Sequence, residues 1–106
     1  MNTASFSDAA VPENKNTLDA LRAQIDAIDE ALQELFERRM ALVDEIAAEK
    51  RSRGLPIFAP IREEEKLAAI KARAGAGLEP YDEAFFRRVM ELSRRRQEEP
   101  SDEPKE

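Results

Sequence analysis

Between Thr17 and Arg53 the chain contains neither Gly nor Pro, and its apolar positions fall at Leu18, Leu21, Ile25, Ile28, Leu32, Leu35, Leu42 and Ile46. The steps are three and four residues with one step of seven, the spacing of a heptad-like stripe on a single long helix. Asn16 or Thr17 can cap its start, and Gly54 followed by Pro56 ends it. At about 1.5 Å per residue such a helix is a rod of roughly 55 Å. A compact chain of this length has a radius of gyration of only ~13 Å. One small monomer cannot bury so long a stripe, so a second copy of the chain is expected to cover it.

Two shorter helices follow. Pro60 opens the first, with Glu63, Glu64 and Glu65 at the positive end of the helix dipole. Leu67, Ile70 and several Ala give it a thin apolar face, and it is expected to end near Gly75 or Gly77. Pro80 opens the last, whose apolar positions are Tyr81, Phe85, Phe86, Val89, Met90 and Leu92. It fades into Arg94–Glu99 before Pro100. No strand candidate competes, so the predicted class is all-α, with one very long N-terminal helix and two shorter ones. Residues 1–16 and 99–106 lack apolar periodicity and read as disordered tails around a helical domain over 17–98. There is no internal repeat.

Composition narrows the chemistry. The 106 residues include 17 Lys plus Arg, 23 Asp plus Glu, no His and no Cys, for a net charge of −6. Without His or Cys there is no Ser-His-Asp or Cys-His arrangement, no thiol chemistry and no zinc finger. No EF-hand-like run of Asp or Asn around a Gly offers a calcium loop. The absence of Cys fits a reducing compartment such as the cytoplasm. No apolar run suggests a secretory signal or a membrane span, and an acidic chain is a poor nucleic-acid binder. Four of the six excess negative charges lie in the two tails, which carry −1 and −3.

Several polar residues stand where core residues are expected. Arg39 interrupts the long stripe between Leu35 and Leu42, and a charge on a buried stripe is costly unless paired. Lys50 lies eleven residues further on, about 20° beyond three full turns, so both cations share a face with Cα atoms about 16 Å apart. They could hold a small dianion between them. The structural alternative pairs Arg39 with an acid such as Glu63 and leaves Lys50 as a solvated helix end. Arg22 lies about 25 Å from Arg39 along the same helix. It could reach the Arg39–Lys50 region only of a partner in an antiparallel two-fold dimer. Ser93 and Gln97 continue the apolar face of the last helix at helical spacing. Either that face frays there, or both residues enter a polar pocket with Arg62 and Glu63. Such a set suits a small dicarboxylate. It has no nucleophile poised by a base, but it could orient an anion and stabilise developing charge.

The ordered run Leu21-Arg22-x-x-Ile25-x-x-Ile28-Asp29, Arg39-x-x-Leu42-x-x-x-Ile46-x-x-x-Lys50, Pro56, Arg62-Glu63 and Phe86-x-x-Val89-Met90-x-x-Ser93-x-x-x-Gln97 resembles the all-helical (type II) chorismate mutases over residues 17–98. The resemblance implies three helices per chain intertwined as an antiparallel homodimer with two active sites. It implies the pericyclic (Claisen) rearrangement of chorismate to prephenate, in aromatic amino-acid biosynthesis, without a cofactor or metal. Arg22 would come from the partner chain and, with Arg39, grip the substrate carboxylates. Lys50 and Gln97 would hydrogen-bond the ether oxygen, Glu63 would hold the ring hydroxyl, and Arg62 and Ser93 would support the carboxylate sites. The catalytic set would be Arg39, Lys50, Glu63 and Gln97.

Ala59 departs from the pattern, because many relatives carry an acidic residue before Pro60. It leaves a backbone contact to the hydroxyl and removes a side-chain one. Isochorismate, with release of pyruvate, or an amino analogue of chorismate are therefore alternative substrates. Arg38 is the neighbouring candidate for the Arg39 role, though the heptad favours Arg39. A non-catalytic helical dimerisation or adapter protein would explain the stripe and the tails, but not Ser93 and Gln97 on an apolar face. A chain of this length is expected to have no room for a second, fused enzyme domain.

Overall fold

The computed structural model of the chain describes residues 17–100. The tail expected over 1–16, and residues 101–106 of the tail expected at the other end, lie outside the described residues. The described residues form three helices and no strand: α1 (Thr17–Arg53), α2 (Pro60–Ala72) and α3 (Glu79–Glu98). The all-α class follows directly. The described residues divide into two compact units, with the division between Arg39 and Met40.

The first unit holds the N-terminal part of α1. Its stripe residues are exposed in the single chain, from Ile28 at 42% to Ile25 and Leu35 at 56%. An apolar row of this length left in water has no counterpart in the folding of one small chain, since burial of such side chains is the main favourable term in folding.

The second unit holds the end of α1 together with α2 and α3. Val43 and Ala47 of α1 are buried, while their predecessors Leu42 and Ile46 are exposed. Successive helical residues are about 100° apart, so this part of α1 carries two apolar faces, and only one of them is covered within the chain. The stripe read from the sequence is the uncovered one. Asp44, on the same stretch, receives two hydrogen bonds from Arg96 of α3, from Nε at 2.7 Å and Nη2 at 2.9 Å.

The core lies between α2 and α3, where Leu67, Ile70 and Met90 form a buried cluster with Phe86 packed against it. Phe86 meets Phe85 edge-to-face, with ring centroids 5.1 Å apart. Glu83 of α3 ties the two helices at their rim, 3.6 Å from Lys71 and 2.7 Å from Arg87. Tyr81 and Phe85, expected on the apolar face, are mostly exposed. The α3 core face therefore begins at Phe86.

Turn chemistry sets the helix ends. After Arg53, Gly54 adopts φ 67°, its N–H reaching Arg51 O and the Leu55 N–H reaching Lys50 O at 2.9 Å. This paired closure is a Schellman motif, which needs the left-handed conformation that Gly adopts without strain. Pro60 begins α2 as expected. The end of α2 comes earlier than the glycines suggested, at Ala72 with Arg73 as the cap. Gly75 and Gly77 instead form a separate turn, closed by Leu78 N–H to Gly75 O at 2.9 Å, with Gly77 at φ 80°. A positive φ at the third residue of a turn is the type II signature. The next helix follows at once, starting at Glu79 rather than Pro80.

Candidate active site

Lys50, in the last turn of α1, is held at both its backbone and its side chain by the loop that follows. Its carbonyl accepts the Leu55 N–H of the Schellman closure, and its Nζ donates to Ile57 O at 2.6 Å. The alternative of a merely solvated helix-end lysine does not fit this contact. The side chain is half-buried and folded over the 54–59 loop. An ammonium has three donors, so two remain after the Ile57 bond.

Lys50 lines a cleft of about 360 Å³ together with Pro56, Phe58, Ala59, Ile61 and Arg62. Ala59 is the N-cap of α2 and supplies no side-chain cap, while its carbonyl accepts the Glu63 N–H at 3.0 Å. An acid at this place could bond to the amides of Ile61 or Arg62 as caps do. With Ala, those first-turn amides receive no side-chain acceptor. The cleft therefore combines one ammonium, one guanidinium and the positive end of a helix, all suited to an anion.

Glu63, the next residue of α2, turns to α3. Both its carboxylate oxygens lie 2.6 Å from Nη1 of Arg94. The guanidinium of Arg94 also lies over the Phe58 ring, 4.9 Å from its centroid. Neither Arg94 nor Phe58 was singled out from the sequence. The Glu63–Arg94 pair lines a groove between α2 and α3 that also includes Leu67, Arg87, Met90 and Glu91.

Ser93 and Gln97 both lie on the inner side of α3. Ser93 is buried and its Oγ donates to Val89 O one turn back at 2.9 Å. Gln97 is half-buried, and its Oε1 is a buried oxygen without a hydrogen-bond partner among the described residues. An amide left so costs free energy unless something satisfies it. A frayed helix end would have put Gln97 in water, which its burial argues against; neither Ser93 nor Gln97 lines the Lys50 cleft or the α2–α3 groove.

In the first unit Arg39 is half-buried, and desolvation lowers its pKa from the ordinary arginine value. It remains cationic at any physiological pH. Its neighbour Arg38 is exposed, so the heptad's choice between the two matches their burial. Arg22 is exposed, with a loose approach of 3.9 Å to Asp19. Among the described residues no cluster of acidic side chains could hold a metal ion, and no helix is long and apolar enough to cross a membrane.

Comparison with known proteins decides the family. The model of the family described as chorismate mutase type II matches residues 21–98. The chain belongs to the chorismate mutase type II family. The matched span includes Arg22, Arg39, Lys50, Ala59, Arg62, Glu63, Ser93 and Gln97. A protein named T-protein from Enterobacter agglomerans is 45% identical over 78 residues, which is 72% of this chain and 21% of the relative. A T-protein from Haemophilus influenzae is 43% identical over 53 residues, 50% of this chain and 13% of that relative. The chain thus spans only a small part of the length of these curated relatives. No solved structure matches it significantly.

Proposed function

We propose that this chorismate mutase type II chain catalyses the rearrangement of chorismate to prephenate as a cytoplasmic homodimer. The observation that carries the reading is the family match over residues 21–98, which contains the whole ordered set of polar residues in a chain without His or Cys. A pericyclic rearrangement moves no proton and forms no covalent intermediate, so those absences cost nothing. Catalysis then rests on holding the compact, reactive conformer and on stabilising charge as it develops.

The roles are those the family resemblance implies, and the donor and acceptor capacity left at each residue accommodates them. Lys50 has two donors left beside its Ile57 bond, and one is directed to the ether oxygen as its bond to the ring breaks. Gln97, with its buried amide, is the second donor to that oxygen. Glu63 accepts the ring hydroxyl, and can do so because each of its oxygens holds one bond from Arg94 and keeps a further lone pair. Arg39 and the partner's Arg22 hold the carboxylates, with Arg62 and Ser93 in support. The exposed stripe on α1 supports the dimer, since a second copy would remove it from water and would bring the exposed Arg22 to another chain's site.

The test is turnover. Purified chain incubated with chorismate is expected to form prephenate, with isochorismate as a parallel control. Losing one donor aimed at developing charge typically lowers kcat by about a hundredfold or more, and Lys50→Ala is expected to do so. Release of pyruvate from isochorismate without prephenate formation would move the activity to the lyase reading. No turnover and no thermal stabilisation by either compound would favour the adapter.

A further inference from the structure

The geometry points to Arg94 as a positioning residue that sets which ring substituent the site accepts, favouring a neutral hydroxyl over an ammonium. This deepens the proposed function and rests on its assignment of Glu63 to the ring substituent. A lone carboxylate at that place would attract an ammonium more strongly than a hydroxyl, since charge-assisted bonds are about twice as strong. Glu63 is not alone. Arg94 donates to both of its oxygens at 2.6 Å, so the subsite offers acceptor capacity without net charge.

The pair is held in place rather than loosely associated. Its side chains are only 23% and 31% exposed, and the Arg94 guanidinium is clamped between the carboxylate and the Phe58 ring. Phe58 also lines the Lys50 cleft, which couples the Arg94 position to that wall. The other cations of the α2–α3 groove are already compensated, Arg87 by Glu83 at 2.7 Å and Arg88 by Glu91 at 2.8 Å. Arg94, bonded to both Glu63 oxygens, is the cation that would oppose an ammonium arriving at that carboxylate. Discounted for water at a partly exposed pair, that repulsion corresponds to about tenfold in affinity.

The probes are chorismate and its analogue with an amino group in place of the ring hydroxyl, at neutral pH. Where chorismate is turned over, its KM and the amino compound's competitive inhibition constant give the two affinities; where it is not, ligand-dependent thermal stabilisation gives both. Wild type is expected to prefer the hydroxyl compound. Arg94→Met, and Arg94→Gln as a second neutral variant should the first fold poorly, are expected to shift the ratio of the two constants about tenfold toward the amino compound. Arg94→Lys keeps the charge and is expected to keep the wild-type ratio. Equal weakening of both compounds in the neutral variants would mean a purely structural role and would overturn the inference. Chorismate turnover by wild type with an unchanged ratio overturns only the Arg94 role. Binding without rearrangement overturns the activity, while the ratio still decides Arg94. Failure of wild type to bind either compound overturns both.

Discussion

Replacing Gln97 by Glu changes one group from a permanent donor to a conditional one. The Gln amide donates a hydrogen bond at any ordinary pH, whereas a carboxyl donates only when protonated. An unperturbed Glu has a pKa of about 4.3, so at pH about 7.3 only about one molecule in a thousand would carry the proton. The Gln97 Oε1 is buried, and desolvation raises a carboxyl's pKa. A rise of about two units would reduce the loss to about tenfold. The expected fall in kcat/KM at pH about 7.3 thus lies between about tenfold and about a thousandfold. The assay is chorismate turnover from pH about 5 to 8, with wild type and Gln97→Glu measured side by side. Wild type should be nearly level, and the variant should gain up to about tenfold for each unit that pH is lowered, until its carboxyl is protonated. A variant profile as level as that of wild type, at any absolute rate, would refute donation from position 97 to the reacting oxygen.

Further outcomes concern the scaffold. Ile70 is 2% exposed at the centre of the α2–α3 core, so Ile70→Ala should cost about 2–4 kcal/mol and lower the thermal midpoint by roughly 10 °C or more, read by circular dichroism. Asp44 accepts hydrogen bonds from Arg96, and these hold its pKa below the ordinary 3.8. A carboxyl depressed on folding adds stability that is complete above its unfolded pKa and is lost as pH falls through the folded value. Asp44→Asn should therefore lower stability at neutral pH and flatten the acid limb below pH about 4, as followed by urea unfolding across pH. An unchanged acid limb would mean the pair does not persist in solution.

Much of the fold was legible because its punctuation is covalent. Gly54, Pro56, Pro60 and Pro80 restrict the backbone whatever surrounds them, and the boundaries they implied lie within a residue of those observed for α1 and for the starts of α2 and α3. The end of α2 was misplaced because Gly75 and Gly77 serve a turn of their own, which composition does not separate from a helix stop. The stripe on α1 was legible as a period, but a period does not say which side is covered within one chain. Val43 and Ala47, one residue beyond stripe positions, take that role.

At the site, Arg39, Lys50, Ser93 and Gln97 could be singled out as polar residues on apolar faces. Arg94 and Phe58 could not. Arg94 reads as part of a charged run, and Phe58 lies in a loop without periodicity. The meeting of Arg94 with Glu63 spans 31 residues of sequence and depends on how α2 packs on α3. Only the folded unit brings them together.

The most direct test of the shared-site account is complementation between two disabled chains. Arg22→Ala and Lys50→Ala variants, each nearly inactive alone, would be co-expressed with different tags and the mixed dimer purified. If Arg22 crosses to its partner, each mixed dimer holds one intact site and one doubly damaged site. An unsorted mixture, in which about half the dimers are mixed, should then recover about a quarter of wild-type activity, and the purified mixed dimer about half. Mixed dimers no more active than their parents would contradict it.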